Sequence, residues 1–132
     1  MATIFTKIIN GEIPCYKVAE SENYFAFLDI NPLHKGHTLV IPKLEVDYIF
    51  DLPNDIYTGL FAFSKKVAAA IEANIKCNRI GVAVIGLEVP HAHIHLVPIN
   101  NVHDLNFKKP RVEINEKEFA EIAASISSKI ES

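Results

Sequence analysis

Two cysteines are all the chain has, and Cys15 and Cys77 lie far apart in a sequence of 132 residues. Neither sits in a CxxC or CxxH pattern, which argues against a disulfide framework or a zinc ribbon and points to reduced thiols in the cytoplasm. No apolar run approaches the ~18 uninterrupted residues of a membrane span. The opening Met1-Ala2-Thr3-Ile4-Phe5 lacks the charged, apolar and small-residue parts of a signal peptide. Concentrated positive charge is missing as well: the net charge is −3, and Lys and Arg nowhere form a stripe. A long polyanion such as DNA is therefore a poor partner, although a small phosphorylated ligand is not excluded. There is no GxSxG elbow to recruit a histidine as base to a serine. Low-complexity segments, linkers and internal repeats are absent. With 49% apolar residues spread along its length, the chain reads as one domain, 1–132, with mass for one core.

The pattern of elements predicts an α+β fold. Residues 4–10 read as a helical turn ended by Asn10-Gly11 and Pro14. Strands follow at 16–20, 24–28 and 38–41, the second running into the turn Asp29-Ile30-Asn31-Pro32 and the third stopped by Pro42. Pro53, at a first helical position, opens the longest helix at about 54–75. Its Ile56, Leu60, Phe63, Val67 and Ile71 form one stripe. Ile80–Ile85 is a buried strand by composition, and Gly86-Leu87-Glu88 turns into the last strand. Asn115 with Glu118 suggests a capping box for a C-terminal helix bearing Phe119, Ile122, Ala123, Ile126 and Ile130, so that about 112–132 forms a helical extension. Hairpin-linked strands with segregated helices imply a mostly antiparallel five-stranded sheet.

Three of the six histidines stand in five residues, His91-Ala92-His93-Ile94-His95. On a strand, alternate side chains share a face, so the three rings would stand in a row while Ala92, Ile94, Leu96 and Pro98 face the core. A helix would scatter the rings over roughly 400° of arc. Side chains two apart on a strand sit only ~7 Å from one another. Three imidazolium charges would repel there, so the row should stay largely neutral. Neutral imidazole can attack an electrophile or bind a metal. A closed metal site needs four ligands. No cysteine or carboxylate pattern completes one, and Glu88 is the one acidic neighbour. No metal or other cofactor is expected, and nucleophilic attack on phosphorus is the favoured chemistry. A metal-binding histidine site stands as the rival.

His91-Ala92-His93-Ile94-His95-Leu96-Val97 resembles the HxHxHxx signature of the histidine triad (HIT) family. Two further blocks resemble its Hint-like branch: Ile4–Pro14, and Ala26-Phe27-x-Asp29-Ile30-x-Pro32 followed by Gly36–Lys43. His95 departs from the HxHxQ ending of the galactose-1-phosphate uridylyltransferase branch. The resemblance implies a homodimeric HIT-like fold that binds purine nucleotides. It also implies hydrolysis or transfer of the nucleotidyl group through a nucleotidyl-histidine. By position, His93 would be the nucleophile, the His91 main chain would fix its ring, and His95 would hydrogen-bond the phosphate. Asp29 would take both ribose hydroxyls. Ile30, with Ile4, Phe5, Ile8, Ile13 and Phe27, would line the base pocket. His37 would lie near the phosphate, and His34 and His103 would be surface residues.

The departures from the family pattern cluster before the triad. Family members usually carry an Asn and then a glycine-rich stretch ending Gly-Gln-Ser/Thr. Here Ile85-Gly86-Leu87-Glu88-Val89-Pro90 is shorter, and Glu88 replaces the hydroxyl residue. An ionised Glu88 at 4 Å from a phosphate charge would cost about 4 kcal/mol at an effective dielectric of 20. It must turn away, pair with a cation, or mark a different ligand. Glu45 stands where the family frequently has a His, and there is no Trp. The altered stretch leaves a second reading open, a nucleotide-binding regulatory dimer with little turnover.

Overall fold

The computed structural model describes residues 2–130. Helix α1 (Ile4–Ile9) starts at Thr3, whose side chain caps it, and ends at Asn10 before Gly11, which has φ +79°. Strands β1 (Lys17–Glu20), β2 (Tyr24–Leu28) and β3 (Thr38–Pro42) follow as antiparallel neighbours. Helix α2 (Asn54–Asn74) then carries the chain to β4 (Arg79–Ala83) and back into the sheet as β5 (Ile94–Ile99). Helix α3 (Glu116–Ser127) closes the described chain. The sheet has five strands in the order β1-β2-β3-β5-β4, and every pairing is antiparallel. No helix among the described residues is long and apolar enough to cross a membrane.

The sheet separates two cores of unequal size. On one face Val18, Ala26, Leu28, Val40, Ile94 and Leu96 pack with Leu60, Val67 and Ile71 of α2 and Phe119 and Ile126 of α3. Leu60, Val67 and Ile71 are fully buried, and each such side chain contributes ~1.5–3 kcal/mol. The helix stripe thus does what its spacing predicts, with Ser64 buried beside it and bonded to the Leu60 carbonyl at 2.8 Å. On the opposite face Phe25, Phe27, Leu39 and Ile41 form a smaller core with Phe5 of α1. His95 pairs with Leu39 across the ladder, so its ring shares that second face.

Several local expectations are corrected. The stretch 80–85 is not a buried strand. β4 is an edge strand, Val82 is half exposed, and Val84 and Ile85 lie beyond its end, also exposed. Apolar composition cannot tell a central strand from an edge whose outer side is uncovered. β5 begins only at Ile94, because the backbone before it bonds elsewhere: Ala92 N–H donates to the Val46 carbonyl at 2.7 Å. Pro42 is the last residue of β3 and Pro53 the cap of α2, each one step from its predicted role. At α3, the Asn115 side chain accepts from Glu118 N–H at 2.8 Å, half of the predicted box.

Gly59 of α2 faces the Tyr24 ring, and a Cβ there would overlap the Tyr24 hydroxyl. That hydroxyl donates to the Ile56 carbonyl at 3.0 Å. Alanine would gain ~1 kcal/mol of helix propensity but lose ~1–3 kcal/mol to overpacking and ~1 kcal/mol with the hydrogen bond. Gly59→Ala is therefore expected to lower stability by about 1–3 kcal/mol in urea denaturation; unchanged stability would contradict this packing.

Candidate active site

Asp29, His37 and His95 come from neighbouring strand ends. Asp29 follows β2, His37 precedes β3, and Asp29 N–H donates to the His37 carbonyl at 3.0 Å. Gly36 permits the approach to His37 with φ +91°; a Cβ there would also press on Ile75. His37 is fully buried. Its Nδ1 accepts from Leu33 N–H at 3.0 Å, so its own proton sits on Nε2 and is donated to His95 Nδ1, 3.0 Å away. His95 is thereby left with Nε2–H as a free donor.

The other two triad residues have their tautomers set by carbonyls. His91 is fully buried, and its Nε2 lies 2.8 Å from the Pro42 carbonyl, which can only accept. Its Nδ1 therefore accepts from the Thr3 hydroxyl at 2.8 Å. His93 Nδ1 lies 2.7 Å from the His91 carbonyl and must carry the proton, which leaves Nε2 with the lone pair. Phe5 meets both rings edge-on, at 5.7 Å for His91 and 5.0 Å for His93.

A cavity of about 540 Å³ opens on this arrangement. It brings together Phe5, Asp29, Glu88, His93 and His95 of the sequence-derived set. Phe27 sits behind Phe5 at 5.5 Å between ring centroids, and Ile8 packs in the same small core, both outside the cavity lining. Ile30 is largely exposed and borders a separate shallow depression with Val112 and Asn115. His93 also borders a second cavity of about 380 Å³ lined by Tyr48, Phe50, Tyr57 and Phe61. His103 is exposed and His34 half-buried, both outside the lining of either cavity.

Sequence reasoning passed over Phe107, Lys108 and Arg111, which line the main cavity. Phe107 lies edge-on to His95 at 4.8 Å, and the Arg111 guanidinium stands 5.5 Å from the Phe107 ring centre. Arg111 is anchored by the Asn31 carbonyl at 2.7 Å. The signal was Phe-Lys-Lys-Pro-Arg at 107–111, three of the chain's 13 cations in five residues.

Burial governs the charges. It pushes His37 down to about 3 and His95 down to about 4, aided by nearby positive groups, and it lowers His91 as well. Burial also raises Asp29, against its hydrogen bond from Asn31 N–H and the charge of Arg111. Among the described residues, Asp29, His37 and His95 each bring one potential ligand atom within 4.8 Å of the others. A metal ion there would displace the proton that joins His37 to His95.

Between pH 6.5 and about 4 the unfolded chain protonates His37 and His95 while the native chain leaves both neutral. Stability contributed by the neutral pair is thus complete above pH ~6.5 and is lost as the pH falls, by up to ~1.4 kcal/mol per pH unit per ring. Urea unfolding at a series of pH values should show this loss, several kcal/mol in all. His37→Gln should reduce the slope by about one proton; an equal slope in both proteins would contradict the assignment.

A family model described as HIT domain matches residues 10–102. An uncharacterised HIT-like protein of Methanocaldococcus jannaschii is 43% identical over 102 residues, 72% of this chain and 77% of its own length. Adenosine 5'-monophosphoramidase hnt1 of Schizosaccharomyces pombe is 36% identical over 132 residues, covering 98% of this chain and 99% of the relative. Among solved structures, a hypothetical histidine triad nucleotide-binding protein of Sulfolobus tokodaii superposes with a TM-score of 0.81. It is 29% identical, and the match covers 96% of this chain and 90% of that one. With its triad, its sheet and these relatives in agreement, the chain belongs to the HIT family.

Proposed function

We propose that the protein is a purine nucleotidyl hydrolase or transferase acting on nucleoside phosphoramidates or phosphate esters, with His93 as nucleophile. The observation that carries this reading is the bond from His93 Nδ1–H to the His91 carbonyl, which leaves the Nε2 lone pair on a ring that borders the cavity. In the first step Nε2 forms a bond to phosphorus while the bond to the leaving amine or alcohol breaks. The leaving group departs with a proton from solvent. His95 Nε2–H donates to a phosphoryl oxygen, where negative charge grows in the transition state. Water then cleaves the phosphorus–nitrogen bond, releasing the nucleoside monophosphate and a proton and restoring neutral His93.

Asp29 offers its carboxylate to the ribose hydroxyls from the cavity wall, and the base stands against Phe5, backed by Phe27 and Ile8. The S. pombe relative, an adenosine 5'-monophosphoramidase, supports an adenosine phosphoramidate as first substrate to test. His93→Ala should lower its turnover about a thousandfold or more, and mass spectrometry of acid-trapped wild type should find adenylate on His93. Equal turnover by the two proteins would overturn the mechanism. Glu88 in the cavity lining favours one second reading, nucleotide binding with little turnover. Calorimetric titration with AMP beside the activity assay separates the two.

We also propose a homodimer built along β4. As a sheet edge it has unpaired backbone groups. Val82 lines a depression with Phe61 and Ala68 of α2, so the adjoining surface is apolar too. A cytoplasmic location fits the two unbridged cysteines. Sedimentation should give a dimer for wild type and a monomer for Val82→Lys; a monomeric wild type would rule the dimer out.

A further inference from the structure

We propose that Glu45 is a positioning residue for the histidine triad, acting through Thr3 by clamping the start of α1 onto His91. The proposal rests on the reading of His93 as nucleophile for its kinetic consequence, though not for its structural one. Glu45 Oε1 accepts two hydrogen bonds, from Thr3 N–H at 2.8 Å and from the Thr6 hydroxyl at 2.6 Å. A carboxylate is an acceptor only, so the direction of both bonds is fixed.

That direction propagates. The Thr6 proton is committed to Glu45, and Thr6 N–H donates to the Thr3 hydroxyl oxygen at 3.1 Å. The Thr3 hydroxyl has one proton left to give. His91 Nδ1 at 2.8 Å is a nearer acceptor than the Thr6 hydroxyl at 3.3 Å. The far side of the His91 ring donates to the Pro42 carbonyl, so both ring nitrogens are held and the tautomer is unique. His91 in turn presents its carbonyl to His93 Nδ1 at 2.7 Å.

The next residue completes the clamp. The Val46 carbonyl accepts from Ala92 N–H at 2.7 Å, so the Glu45-Val46 pair holds α1 by a side chain and the triad backbone by a carbonyl. α1 also delivers Phe5, whose ring touches both His91 and His93. Release of Glu45 would thus loosen three restraints on the proposed nucleophile at once: the Thr3 bond to the His91 ring, the carbonyl His91 presents, and the Phe5 ring.

The test uses the full chain with Glu45→Ala, Glu45→Gln, Thr3→Val and the double variant Glu45→Ala/Thr3→Val. Nitrogen-15 spectra of the histidine rings report the tautomers without any substrate. Wild type and Glu45→Gln, which keeps an acceptor oxygen, should show a single Nε2–H form of His91 and a single Nδ1–H form of His93. Glu45→Ala and Thr3→Val should keep Nε2–H on His91, held by the Pro42 carbonyl, but shift the His91 Nδ1 resonance as the Thr3 bond is weakened or lost, at temperatures well below their unfolding transitions. With the phosphoramidate substrate, kcat should fall on the order of tenfold in Glu45→Ala and in Thr3→Val and stay near wild type in Glu45→Gln. The double variant should lose little more than either alone, because both act through one chain of bonds. Should Glu45→Ala unfold, Thr3→Val and Glu45→Gln still give the comparison. Unchanged ring spectra in Glu45→Ala and Thr3→Val would overturn the clamp, as would fully additive kinetic losses. If His93→Ala keeps its activity while the ring spectra respond, the clamp stands and the nucleophile assignment fails.

Discussion

One hydrogen bond governs the chemistry open to this site, the 2.7 Å contact between His93 Nδ1–H and the main-chain carbonyl of His91. A free imidazole exchanges its proton between two nitrogens, and only the bare one can attack. Tying Nδ1–H to a carbonyl two residues back removes that exchange and dedicates Nε2. The acceptor is backbone, so it cannot change protonation state. It is held in turn by Ala92 N–H on the Val46 carbonyl and His91 N–H on the Val89 carbonyl at 2.8 Å. The irregular start of β5 follows from this use of the chain, because the backbone groups at 91 and 92 are engaged elsewhere than in a sheet ladder.

Desolvation favours the neutral form of the neighbouring rings. His91 and His37 are fully buried and His95 nearly so. A buried imidazolium next to others is disfavoured twice, by lost hydration and by like charge. Burial leaves each ring with one proton, and the partners choose its place. Leu33 N–H points it to Nε2 of His37, and the same logic places it on Nε2 of His95. Every ring therefore has a defined donor and acceptor side.

The fold was legible where periodicity meets a single environment. The α2 stripe at Leu60, Val67 and Ile71 and the alternation of Ala92, Ile94 and Leu96 both reach the large core. Legibility failed where an apolar residue had two possible destinations. Val82 and Phe27 look alike as sequence, yet one lies half exposed beside the edge and the other in the small aromatic core. The triad signature identified the rings, but hydrogen-bond direction depends on Thr3, Pro42 and Leu33, which are distant in sequence or contribute main chain alone. Arg111 escaped notice for a related reason: it reaches the cavity through a turn after the last strand, carrying no periodic signal.

The substitution at Glu88 and the arm at 107–111 make sense together. Glu88 adds a negative charge to a cavity that already holds Asp29, and that charge opposes the ionisation of Asp29. Arg111 acts on Asp29 in the opposite sense, and more strongly than Glu88 does. Lys108 enters the same lining. The cavity thus holds two acidic and two basic side chains, and the basic pair comes from a segment beyond the 10–102 matched by the family model. An anionic group entering this cavity meets its attraction on the side of Lys108, Arg111 and the His95 Nε2–H donor. The Glu88 side repels the same group. Where the family pattern places a hydroxyl before the triad, this chain has a carboxylate, and the basic side chains that line the same cavity come from 107–111. The acidic and basic side chains of this cavity thus come from separate segments, which a comparison of the triad alone would not connect.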